Sequence, residues 1–100
     1  MSAYRNLILV FAFVLAPRAQ AQYLDSLYTV WQDQTQADSI RVVAYVDYIW
    51  DGYLFTQPDT AAILAEALHT FAQARQYPRA SAKGYNMQGI ASKNQGDYPR

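Results

Sequence analysis

The chain has 100 residues, no cysteine, and eight basic against eight acidic side chains, so its formal charge is zero. Without cysteine it carries no disulfide, thiolate metal site or cysteine-linked lipid, and a balanced charge without a dense basic stripe excludes the electrostatic footprint of a nucleic-acid binder. A lone histidine and four scattered glycines provide neither a histidine pair for zinc nor a loop that cradles phosphate, and the sequence calls for no cofactor.

The first element is a leader. Arg5 precedes an apolar run from Leu7 to Ala16, and Ala19-Gln20-Ala21 has the small-x-small pattern that a signal peptidase reads. Residues 1–21 are therefore expected to be a signal peptide, and the protein to be exported to the periplasm or the outer face of the inner membrane. As a helix this run rises only about 15 Å, half the hydrocarbon thickness, which disfavours a permanent anchor. Beyond residue 21, six basic residues stand against eight acids, and they are segregated: the acids lie mainly before residue 67 and the bases mainly after it.

Residues 22–37 read as a short first helix and a loop, with Leu24, Leu27, Tyr28 and Trp31 on one face. A second helix follows, N-capped by Asp38 or Ser39, with an apolar stripe of Ile40, Val43, Val46, Trp50 and Tyr53 or Leu54. Its β-branched content also suits a strand, but the Val42-Val43 and Tyr48-Ile49-Trp50 clusters break strict alternation. Gln57-Pro58-Asp59-Thr60 reads as a turn and helix start, with Asp59 as N-cap. The alanine-rich third helix, Thr60 to Arg75, lines one face with Ala61, Leu64, Ala65, Leu68, Phe71 and Ala72. Tyr77-Pro78 interrupts it. A fourth helix is predicted from about Arg79 to Asn94, with Gly96 as a left-handed cap and Asp97 and Pro99 opening whatever follows.

Asn86-Met87-Gln88-Gly89 and then Gly96-Asp97-Tyr98 resemble the first helix and turn of a tetratricopeptide (TPR) repeat, and Asp59-Thr60-Ala61 marks the matching position of an earlier copy about forty residues before. The resemblance implies an all-α fold of antiparallel helical hairpins in a TPR-like solenoid, incomplete at the C-terminus. Residues 38–78 would form a degenerate first hairpin, and 79–100 the first helix and turn of a second, truncated repeat. In the motif, Gly89 and Ala61 are the small residues that let paired helices approach closely, whereas Ile49 or Trp50 occupies the small-residue region of the first copy. A generic set of helical hairpins shares much of this pattern. Leu24-Asp25-Ser26-Leu27, Gln36-Ala37-Asp38-Ser39 and Gln57-Pro58-Asp59-Thr60-Ala61 are also similar to the start of exported TPR sensors of Bacteroidetes-type bacteria. That similarity implies further TPR repeats, a membrane segment and an output domain beyond residue 100.

Little suggests catalysis. His69 has Glu66 three residues before it, a helix-surface pair at most, and Asp47 and Asp51, spaced i, i+4, suit a solvated face as well as acid-base work. The aromatic residues from Tyr23 to Phe55 suit helix packing or a peptide or glycan grip. Lys83, Asn86, Ile90, Lys93 and Asn94 fall on one side of the fourth helix, where the first helices of TPRs line a concave surface. Lys83, Asn86, Lys93 and Asn94 are thus the candidate ligand residues, holding a peptide backbone or carboxylate. The expected function is a noncatalytic scaffold that binds a protein or peptide, with a self-contained secreted protein that oligomerises through its open end as the alternative. N-terminal sequencing of periplasmic material should begin at Gln22 or its cyclised form; residues 1–21 retained in a membrane fraction would refute the leader.

Overall fold

The computed structural model describes residues 18–96, and these form four helices with no strand among them. Helix α1 covers residues 18–32, α2 Asp38–Gly52, α3 Pro58–Ala74 and α4 Pro78–Asn94. The all-helical class expected from the sequence is what is observed. Residues 1–17, which hold most of the expected signal peptide, and Asp97 and Tyr98 of the repeat motif lie outside the described residues.

The helix starts differ from the expected caps. Ala37, not Asp38 or Ser39, is the N-cap of α2, and Gln57, not Asp59, is that of α3; neither makes a side-chain cap bond. Asp38 and Asp59 instead sit in the first turns, where a carboxylate still complements the positive end of the helix dipole. Proline opens both α3 and α4, at the position where its missing N–H costs nothing.

The core is built on a narrow seam between α3 and α4. Ala61, Ala65, Leu68 and Ala72 are buried on α3, and Ala80, Gly84, Met87 and Ala91 on α4, each set following the same four-three-four spacing. Mostly small side chains let the two backbones come together, and a Cβ on Gly84 would lie 3.1 Å from the Ala65 carbonyl oxygen and 3.2 Å from the His69 nitrogen. Close approach among the described residues therefore falls at Gly84. Gly89, expected to admit the second helix of its own hairpin rather than α3, is exposed among the described residues, with nothing within 4 Å of a Cβ placed there. The boundary at 78/79, expected to separate two repeats, falls at the start of α4, within this closest pair.

The α3–α4 turn is a Schellman closure: Tyr77 N–H donates to Ala72 O at 2.8 Å and Gln76 N–H to Gln73 O at 3.1 Å. Gln76 takes the left-handed conformation, φ 54°, a position that usually favours glycine. At the far end of α4, Gly96 has φ 79°, the left-handed geometry expected of it, and its N–H bonds to Lys93 O. Asn94 Nδ2 donates to Leu54 O at 2.9 Å, and Gln95 Nε2 donates to Asp59, so the end of α4 is tied to the loop before α3 and to its first turn.

Helix α2 turns a different face inward from the one its sequence suggests. Val42, Tyr45 and Ile49 are buried, with Leu54 beyond them, whereas Ile40, Val43 and Trp50 point out. Both arcs of α2 are apolar, and packing against α1 and α3 selects the one carrying Tyr45 and Ile49. Substituting leucine at Gly84 should lower the melting temperature by overpacking, at about 1–3 kcal/mol or more. Gly89→Ala should raise it, since an exposed helical glycine costs about 0.5–1 kcal/mol relative to alanine. Thermal melts of the two variants, moving in opposite directions, check the seam.

Candidate interaction surface

Arg41 organises the junction of α1, α2 and α3. It is only 7% exposed, and a buried guanidinium is tolerated only when its donors and charge are answered. Its Nε donates to Trp31 O at 2.8 Å, in the last turn of α1 where the helix dipole is negative. Its Cζ lies 5.0 Å from the Phe71 ring centroid and 5.6 Å from that of Trp31, within cation–π range. Asp38 is 3.8 Å away on the same helix and also pairs with Arg75 at 3.1 Å, and Arg75 in turn lies over Phe71 at 3.9 Å. One acid and two arginines thereby join the start of α2 to the end of α3.

Around this pair the aromatic side chains form a continuous packed row. Trp31 stacks on Tyr45 with centroids 3.9 Å apart, Tyr45 on Tyr48 at 6.0 Å, and Tyr48 meets Tyr28 and Tyr53 at 5.1 and 5.2 Å. Of the two uses open to these rings, helix packing is the one their contacts show. Burial pushes the Tyr45 phenol up to about 12. Burial first, and then the Tyr53 hydroxyl at 3.0 Å, raise that of Tyr48 as well. At the outer end of the same interface Tyr23 donates to Asp51 Oδ2 at 2.7 Å, which holds its hydroxyl proton above the ordinary range.

Of the two acids that suggested a paired site, Asp51 is thus engaged by Tyr23, and Asp47 lies half-buried one turn before it. Among the described residues no three His, Cys or acidic side chains gather where an ion could bridge them. His69 has a partner that its helix neighbours did not reveal. Its Nδ1 lies 2.7 Å from Ser81 Oγ on α4, and its ring packs on Tyr85 at 4.0 Å. Ser81 also borders an open groove of about 410 Å³ beside the α3–α4 turn, with Ala72, Gln73, Gln76, Tyr77 and Pro78. The hydroxyl–imidazole contact bridges the seam one turn from Gly84. Acyl transfer would additionally need a group orienting the imidazole and donors for an oxyanion, and the contacts of His69 are to Ser81 and Tyr85.

The α4 residues suggested as a ligand face, Lys83, Asn86 and Lys93, are all exposed, while Asn94 spends its amide on Leu54 O. Ala61 is fully buried in the core. The feature the sequence did not reveal is on α2. Ile40, Val43 and Trp50 are 51%, 54% and 43% exposed, and Phe55, 62% exposed, meets Trp50 edge-on at 5.6 Å. These make one apolar outer stripe rather than scattered surface residues. The sequence pattern alone assigns it to the core, because the same side chains satisfy a helical period. No family model matches the chain, and no curated protein or solved structure matches it either.

The tyrosine row sets a pH limit. Because the folded-state pKa of Tyr45 stands above the ordinary 10, its contribution to stability is complete below pH 10 and is lost as the pH rises through about 12. Helical circular dichroism should fall in that window together with the rise in tyrosinate absorbance, and Tyr45→Phe should move the alkaline midpoint upward. A midpoint unaffected by Tyr45→Phe would show that its burial is not limiting.

Proposed function

We propose that this chain is a noncatalytic, TPR-like helical scaffold whose task is recognition of a protein or peptide, acting outside the cytoplasm as the periplasmic sensory segment of a larger signalling protein. The observation that carries the reading is the outer stripe of α2. A helix that is apolar on both faces is ordinarily covered on both, and here Ile40, Val43, Trp50 and Phe55 remain uncovered by the other described residues.

Three further features support it. Consecutive helices joined by short turns have the construction of a helical repeat, in which each unit offers a face to a neighbour. The motif resemblance at Asn86 to Gly89 points to the TPR version of that construction. Export is compatible with the packing, since residues 18–21 are exposed, and the bond of Tyr23 to Asp51 and the placement of Leu24 beside Gly52 both lie beyond the expected cleavage site after Ala21. Among the described residues no helix is long and apolar enough to cross a membrane.

A photo-crosslinking amino acid at position 43, introduced in cells, should give ultraviolet-dependent adducts to a polypeptide, identifiable by mass spectrometry, whereas the same group at the exposed α3 position 67 should give far fewer. Equal labelling at the two positions, or none at 43, would overturn the recognition reading.

A further inference from the structure

The charges and side-chain sizes on the outer faces of α2 and α4 are complementary. On the outer face of α2 the stripe Ile40, Val43, half-buried Asp47 and Trp50 recurs at three-four-three spacing, flanked by Asp51, which accepts from Tyr23, and the only base in the helix, Arg41, is buried. On α4 the exposed positions Arg79, Ala82, Asn86, Gly89 and Lys93 continue at three-four-three-four spacing, flanked by Lys83, and the helix contains no acid. Neither Lys83, Lys93 nor Arg79 forms an ion pair among the described residues. One face is therefore bulky, apolar and acidic. The other is basic, with the small exposed residues Ala82 and Gly89 along it, beside which large side chains of a partner helix can pack.

Resting on the recognition reading, we infer that the partner is a second copy of this chain, with the outer face of α2 in one copy docked along the outer face of α4 in the next. Charge selects this arrangement over a symmetric one. Pairing α2 with α2 would bring Asp47 and Asp51 of both copies together, and pairing α4 with α4 would oppose three bases to three bases, whereas α2 on α4 matches opposite signs. Such a contact is heterologous: each copy keeps one free α2 and one free α4, so copies add head to tail. A single helix pair is a small interface, so the association is reversible and depends on concentration. Lys83, Asn86 and Lys93 then receive an acidic helix rather than an extended peptide.

Sedimentation velocity of the full chain across a concentration series tests this. The unaltered chain should grow past dimers as concentration rises, and should dissociate in about 1 M salt, where the screening length falls to about 3 Å. Val43→Lys blocks the α2 face, and Lys83→Glu with Lys93→Glu blocks the α4 face; each variant alone should be monomeric. Their mixture should form one-to-one dimers and nothing larger, because only one live face remains on each. Circular dichroism melts establish that both variants fold, and if either does not, Asp47→Asn and Arg79→Gln take their places, each expected to move association to higher concentration. Association that survives Val43→Lys, a mixture that stays monomeric, or an unaltered chain that is monomeric throughout would each overturn self-association. Adducts from position 43 to a different polypeptide would leave the scaffold reading standing while removing this one.

Discussion

The close approach of α3 and α4 at Gly84 is the constraint on which the rest of the arrangement depends. With the Ala65 carbonyl oxygen 3.1 Å from where a Cβ would stand, the two backbones admit only small residues along most of their seam. Alanine contributes little apolar area, so the hairpin relies on dense contact at short range and on ties at both ends: the Schellman turn at Gln76 and the Asn94 and Gln95 side chains at the other extremity. Apart from Leu68 and Met87, the large apolar residues are thereby kept out of this interface and placed in the second one, against α1 and α2.

That second interface works by the opposite means. Trp31, Tyr45, Tyr48 and Phe71 fill a wider gap with stacked and tilted rings, and the cationic side chains of Arg41 and Arg75 lie on those rings while sharing Asp38. Arg41 is costly to bury, yet its position over aromatic faces and against the last-turn carbonyl of α1 makes it specific to one placement of three helices. Lysine could not reproduce the planar contact with two rings together with the Nε bond.

With Tyr45, Ile49 and Arg41 turned inward, no other helix among the described residues covers Ile40, Val43 and Trp50. In the same way, the matched spacing of Ala80, Gly84, Met87 and Ala91 commits one stripe of α4 to α3 and leaves Arg79, Lys83 and Lys93 together on the far side. The charge segregation visible along the chain thus becomes a separation in space, an acidic and apolar edge at α2 and a basic edge at α4. Recognition and self-association are both readings of those two edges.

Local order was legible in the amino-acid sequence because it is governed by short-range chemistry: proline and glycine bound the last two helices, alanine favours α3, and Ala61, Ala65, Leu68 and Ala72 keep one period along it. The left-handed Gly96 follows from the same local rules. Which arc of α2 is core did not follow, since Val42, Tyr45 and Ile49 and Ile40, Val43 and Trp50 both satisfy a helical period, and only the positions of α1 and α3 choose between them. Gly84 and Gly89 are likewise indistinguishable as letters; one faces a backbone and the other open space. Ser81 comes to His69 across twelve residues of chain and the two helices. Helix formation depends on residues a turn apart, which the sequence itself determined, whereas burial and contact depend on residues brought together by packing, which only the tertiary structure decided.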